Sequence, residues 1–237
     1  MLLRKAIPSF LMPKTLRTGG AAREGIKILV HISKNYGWLK SKKAGRCIDA
    51  DGEPIPWLTY PAIDFIKQLD VSDLSVFEYG SGSSTLFWAK RARKVVSVES
   101  DPSWFQQVAS RAPSNTEVIL ASGDVEAYVD KITKYEKFDI IVIDGTGESR
   151  LQCCQIAPRF LSDRGFVILD DSDMWLKSAA ALRNANLIQV DFTGLAPLNC
   201  DWHTTSLFFS RQYAIQPLDG HQPHKSVAQP ATPWPDG

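Results

Sequence analysis

The chain has 237 residues, of which 44% are hydrophobic and 22% charged, with a formal net charge of +1. That composition is ordinary for a soluble globular protein, and the length suffices for one sizeable domain with extensions. It excludes a membrane-spanning helix: the longest apolar run near the start, Ile26 to Ile32, is interrupted by Lys27 and His31.

The charge is unevenly distributed. Residues 1–46 hold eleven Lys or Arg and a single acid, Glu24, which leaves 16 basic and 25 acidic residues in the body. The basic arm reads as a solvated segment or as a contact for an anionic surface such as lipid headgroups. Its opening "MLLRKAIPSFLMPKTLR" is too broken for a secretory signal, so the expected location is cytoplasmic, with peripheral membrane contact through the arm. Cys47, Cys153, Cys154 and Cys200 form no CxxC pair, which points to free thiols rather than a zinc site. Self-association into a homo-oligomer is carried as a further expectation.

In chain order, residues 1–55 read as a basic, partly helical extension. Leu29, Ile32, Tyr36 and Leu39 fall at helical spacing, predicting one amphipathic helix there. The turn-forming "DADGEPIPW" follows, then the helix "TYPAIDFIKQL", with Thr59 as its expected cap. From residue 75 strands and helices alternate. Strands are expected at "SVFEY", "KVVSVE", "TEVIL", "FDIIVID" and "GFVILDD", separated by helices, one of which should end at Pro158. After the helix "DMWLKSAAALRNA" come two strands, "NLIQVDF" and "TTSLFFSR", with no helical pattern between them. The expected fold is α/β: a doubly wound, mostly parallel seven-stranded sheet with an antiparallel last strand and helices on both faces. Residues 56–212 form the main domain. Residues 213–237, with five prolines and three charged residues, read as a flexible tail.

One loop raises a chemical question. "FEYGSGSST" joins the first strand of the alternating region to a helix, the setting of a nucleotide-binding loop. Gly80 and Gly82 permit a tight turn, but Thr85 stands where a dinucleotide fold has its third glycine, and the strand ends on an acid, Glu78. A buried acid needs a partner, and a cationic amino-acid group would supply one. Glu99 closes the next strand nineteen residues beyond Gly80, near the spacing at which an acid meets ribose hydroxyls.

The segment "VFEYGSGSST" resembles the E/D-x-G-x-G signature of class I S-adenosylmethionine-dependent methyltransferases, and the resemblance extends over roughly residues 55 to 210. It implies a cofactor site of Glu78, Gly80, Ser81, Gly82, Ser83, Ser84 and Thr85, with Glu99 and Ser100 at the ribose. It further implies Asp124 and Val125 at the adenine, and Asp144 near the sulfonium. Asp124 reads equally as a helix cap. Asp144 after the fourth strand and Asp170 and Asp171 after the fifth resemble the spacing of the catechol O-methyltransferase group, which implies a magnesium or calcium site. Asp171 stands where that group has Asn. If the acceptor is a hydroxyl, a base must take its proton, and Asp144 and Asp171 are the candidates. His203, Arg150 and Lys177 read as structural or solvated residues.

The expected function is S-adenosylmethionine-dependent methyl transfer to a small-molecule or saccharide-like acceptor, at oxygen. The alternatives are a nicotinamide-dependent oxidoreductase and a non-catalytic module of the same fold. Nucleic acid is disfavoured as a partner by the acidic body and by "IDGTG" where an N/D-P-P-Y/F motif would stand.

Overall fold

The computed structural model describes residues 19–224 and Val227. The first eighteen residues of the basic arm and the rest of the Pro-rich tail lie outside the described residues. Three helices come first: α1 (Gly19–Asn35), α2 (Trp38–Ala44) and α3 (Tyr60–Lys67). The alternating region supplies β1 (Ser75–Tyr79), α4 (Ser83–Ala89), β2 (Lys94–Glu99), α5 (Pro102–Ala109), β3 (Thr116–Leu120) and α6 (Val125–Val129). A short 3-10 turn then leads to β4 (Phe138–Ile143), α7 (Arg150–Phe160), β5 (Leu161–Leu169), α8 (Leu176–Asn184), β6 (Ile188–Gly194) and β7 (His203–Phe209).

The seven strands form one sheet in the order β3-β2-β1-β4-β5-β7-β6. The first five run parallel, and β7 slots antiparallel between β5 and β6. β1 and β4 sit at the centre, and every residue of both is buried. That is why they read as unbroken apolar runs: helices cover both faces of a parallel sheet. Side chains alternate between the faces. Val76, Ile140, Val142 and Ile168 pack with Ile63, Ile66 and Trp88 of α3 and α4. Phe77, Tyr79, Ile141 and Ile143 pack with Cys153, Cys154 and Leu182 of α7 and α8. Chain order reverses between β1 and β4, and ligands of such sheets bind beyond the carboxyl ends of the strands at that point.

Several local expectations are corrected. The single N-terminal helix is two, broken at Gly37, whose φ is 75° and where a Cβ would lie 2.3 Å from the Asp49 carbonyl carbon. Tyr36 packs on Tyr60 with ring centroids 4.6 Å apart, while Leu29 and Leu39 remain exposed. Thr59 precedes α3 but does not cap it; its hydroxyl donates to the Phe192 carbonyl at 2.8 Å, tying α3 to the sheet edge. α7 continues past Pro158 to Phe160, because a proline two residues from a helix end forfeits one hydrogen bond while buried Ala157 holds the turn in place. The last helix begins at Leu176, three residues later than the sequence pattern, because residues 170–174 form turns.

The tail is not loose at its start. Ile215 is buried, Pro217 bridges to Leu69, and the Asp70 amide donates to the Gln216 carbonyl at 2.9 Å. No helix among the described residues is long and apolar enough to cross a membrane. All four cysteines are free; burial pushes the Cys153 thiol up to about 12, and Cys154 is raised as well, which makes both inert.

Candidate functional site

The glycine loop is built around close backbone approach. Gly80 follows β1 with φ 99°, and a Cβ on it would lie 2.8 Å from the Asp144 carbonyl oxygen. No larger residue fits between β1 and β4 there. The loop then enters α4 through Gly82, whose amide donates to the Thr85 hydroxyl at 3.0 Å. That hydroxyl in turn donates to Glu78 Oε2 at 2.5 Å, where Ser97 Oγ also donates at 3.1 Å. Thr85 is therefore no defective glycine: it fastens the acid at the strand end to the loop. Glu78 is 1% exposed, and its second oxygen, Oε1, has no partner among the described residues. Burial pushes its carboxyl up to about 7 against the pull of the surrounding hydroxyls.

Glu99 closes the loop from the β2 side. Its Oε1 accepts from the amides of Ser100 and Asp101 at 2.8 and 2.9 Å, and its Oε2 accepts from Ser81 Oγ at 2.6 Å. Asp101 caps α5 as expected, accepting from the Trp104 amide at 2.7 Å. The Trp104 indole reaches back to donate to the Ser81 carbonyl at 2.7 Å, so its ring stands beside Gly82. The sequence-predicted cofactor residues Glu78, Gly80, Ser81, Gly82, Ser83, Ser84, Thr85, Glu99 and Ser100 thus form one hydrogen-bonded unit or adjoin it. Asp124 and Val125 stand apart. Asp124 is exposed and caps α6, accepting from the Ala127 amide at 2.6 Å, and neither residue lines the cleft; of the loop unit, Ser81, Gly82, Ser83 and Ser84 line it, whereas Glu78, Gly80, Thr85, Glu99 and Ser100 stand behind them.

A cleft of about 420 Å³ opens beyond Ser81–Ser84 at the carboxyl ends of the strands. Its far wall carries Asp144, Arg150, Asp170 and Asp171, with His203 and Asn199 beside them. Arg150 organises this wall. It is 7% exposed and donates to Asp144 Oδ1 at 3.0 Å, to the Asp170 carbonyl at 2.5 Å and to the Gly145 carbonyl at 3.2 Å. Its guanidinium also lies 5.4 Å from the Trp175 ring centroid. Asp170 is buried and accepts from Thr205 Oγ1 at 2.5 Å. Burial, and then mutual repulsion with Asp170, raises Asp144 well above the usual carboxylate range. Burial and the neighbouring Asp171 raise Asp170 too, and Arg150 opposes both shifts. Three acids face one guanidinium, and a cationic ligand placed among them would favour their ionised forms.

The expected metal set does not assemble. Asp144 is held by Arg150, whose guanidinium supplies the positive charge an ion would bring. Asp170 and Asp171 gather instead with His203, their ligand atoms within 4.8 Å of one another. Asp144, Asp170 and Asp171 therefore do not fit a magnesium or calcium site. A relay of polar side chains approaches Asp171 from the other side. Trp57 Nε1 donates to Asn199 Oδ1 at 2.7 Å, and Asn199 Nδ2 faces His203 Nδ1 at 3.4 Å. With Nδ1 accepting, the ring proton sits on Nε2, which lies 3.9 Å from Asp171 Oδ1. Arg150 and His203 read from the sequence as solvated or structural, and Asn199 carries no local motif that would single it out. Lys177 lines none of this wall.

Residues 77–172 match the profile of a methyltransferase domain family, and that span runs from β1 to the turn after β5. Among solved structures, precorrin-6y C5,15-methyltransferase from Geobacter metallireducens matches with a TM-score of 0.51 at 13% identity, over 65% of this chain and 90% of that one. Aeropyrum pernix fibrillarin with natively bound S-adenosyl-L-methionine matches with a TM-score of 0.48 at 18% identity, over 62% and 72%. An N-methyltransferase from Bradyrhizobium japonicum matches with a TM-score of 0.47 at 13% identity, over 62% and 92%. No curated protein matches the chain. The first of these structures shares the sheet-and-helix architecture described above.

Proposed function

We propose that this protein, whose residues 77–172 match a methyltransferase domain family, is a class I S-adenosylmethionine-dependent methyltransferase that methylates a hydroxyl of a small-molecule or saccharide-like acceptor. The single observation that carries the reading is the cleft that joins the Ser81–Ser84 loop to the Asp144, Asp170 and Asp171 wall. It supports a cationic donor on one side and a proton-accepting carboxylate on the other.

The residues fit the cofactor. The orphaned Glu78 Oε1 suits an ammonium group, and the carboxyls of the far wall would ionise beside a sulfonium. Glu78 and the loop Gly80–Ser84 would hold the methionine part, and Glu99 and Ser100 the ribose; two carboxylate oxygens accept well from a diol. When bound, S-adenosylmethionine supplies a methyl group already activated on sulfur. The chain's own task is then alignment, exclusion of water and removal of one proton. Asp171 takes the acceptor's hydroxyl proton, with His203 Nε2 3.9 Å from its Oδ1, beyond hydrogen-bond reach. Asp144, tied to Arg150, is held away from the role of base. Trp57 and Arg46 line the outer part of the cleft, where an aromatic or polyhydroxyl acceptor would rest.

The test is transfer of labelled methyl from S-adenosylmethionine to panels of phenols, sugars, amines and RNA. Label on hydroxyl acceptors alone supports the reading. Label on amines or RNA in their place contradicts the acceptor class while leaving the methyltransferase assignment intact.

A further inference from the structure

The tail carries a second group of metal-ligand side chains, remote from the cleft. "DGHQPH", residues 219–224, contains two of the chain's four histidines and one aspartate. His224 Nε2 lies 2.8 Å from Asp219 Oδ1, and His221 Nδ1 lies 3.3 Å from the same oxygen. The three ligand atoms are all within 4.8 Å of one another, and the imidazole centroids are 5.0 Å apart. Ligands on a tetrahedral zinc ion at about 2.0–2.1 Å are separated by about 3.4 Å, and the two aspartate–histidine spacings of 2.8 and 3.3 Å lie at or below that value, with the third within 4.8 Å.

We propose that Asp219, His221 and His224 bind one zinc-class transition-metal ion, which locks the turn of the tail that lies against the end of α3. The donor set selects this class: two imidazoles and one carboxylate suit zinc, nickel or copper, whereas magnesium and calcium require mostly oxygen ligands. The Asp219 and His221 side chains are 47% and 58% exposed, so the fourth coordination position opens to water.

The turn is organised before any ion arrives. The Leu218 amide donates to the Gln68 carbonyl at 2.8 Å, and the His224 amide donates to Gln68 Oε1 at 2.7 Å. Both ends of the ligand-bearing turn are thus pinned to one residue just past α3, and the Leu69–Pro217 bridge continues the attachment. Gly220, at φ 81°, allows the sharp reversal between Asp219 and His221. Holding ligands in place beforehand lowers the ordering cost of binding. Gln68 precedes β1, whereas the cleft lies beyond the carboxyl ends of the strands, so the ion would act on the tail and not on methyl transfer.

The full chain, stripped of metal by a chelator, is titrated with zinc in competition with a chromophoric chelator. The expected result is a binding equivalent that H221Q/H224Q weakens by at least about tenfold and that H203Q leaves unchanged. Cobalt in place of zinc should give the visible absorption of a four-coordinate ion, lost in H221Q/H224Q but kept in H203Q, and magnesium should not compete. Zinc should also slow proteolysis of the tail in the parent chain but not in H221Q/H224Q. Equal zinc affinity in the parent and H221Q/H224Q, or loss of the equivalent in H203Q, overturns the proposal.

Discussion

The two walls of the cleft are built in different ways. The glycine-loop wall is nearly local: Glu78 meets Thr85 seven residues away, and Ser81 meets Glu99 eighteen residues away. The acid wall is assembled from afar: Trp57 meets Asn199 across 142 positions, and Thr205 meets Asp170 across 35. A local wall can be read from one strand-loop-helix unit, since its spacing is set by covalent geometry. A wall made by several crossovers depends on the whole sheet closing. The first should tolerate change in the second, and the predictions below probe that independence.

The largest expected effect is chemical and confined to the acid wall. Asp171→Asn should lower kcat by about 10²–10⁴, the usual contribution of a positioned base. Cofactor affinity, measured by calorimetry, should fall far less than kcat, because Asp171 is one of three acids facing the sulfonium and does not belong to the loop wall. Equal losses in both quantities would show that the walls act as one.

Next in size is a loss of stability. Arg150→Ala removes three hydrogen bonds to main-chain and carboxylate oxygens and leaves Asp144 without its cation. Breaking such a pair costs about 3 kcal/mol where the partner is largely buried, to be read from a denaturant midpoint at unchanged m value. Asp144→Asn in the same background should restore part of it. A fully exposed pair would lose less than about 1 kcal/mol.

Glu99→Ala tests the loop wall alone. It should weaken S-adenosylmethionine binding by at least about tenfold through loss of charge-assisted hydrogen bonds. Unchanged affinity would count against the ribose assignment.

The smallest effect is on pH. The Glu78 carboxyl is raised from 4.5 to about 7, so the stability it contributes is fully present below 4.5 and is lost as pH rises through about 7. Asp144 and Asp170 shift in the same direction. The unliganded protein should therefore melt at a lower temperature at about pH 8 than at about pH 5.5. Binding a cationic cofactor favours their ionised forms, so binding near pH 6.5 should release protons, measurable as a buffer-dependent heat. Proton uptake would reverse the proposed electrostatics.

The same contrast governs what the sequence made legible. Strand-helix alternation, the buried central runs "SVFEY" and "FDIIVI" and the two consecutive closing strands were enough to expect the sheet, its parallel core and its antiparallel end. The loop wall was legible because its partners sit within one βαβ unit. Arg150 looked like a solvated helix residue, and only its burial beneath Trp175 against the ends of β4 and β5 turns it into the organiser of the acid wall. His203 gains its partners from the β6–β7 connection and the turn after β5, which no spacing rule links. The tail's opening residues were missed for a related reason. Ile215 and Pro217 are isolated apolar residues in a polar stretch, without periodicity to announce a docking segment.

The most direct measurement is a crystal structure of the protein with S-adenosylhomocysteine. The account predicts the ribose hydroxyls on Glu99, the amino group near Glu78 and the glycine loop, and the sulfur facing the Asp144–Asp171 wall. A ligand lodged elsewhere, or an occupied cleft with Glu78 and Glu99 making no contact to it, would contradict it.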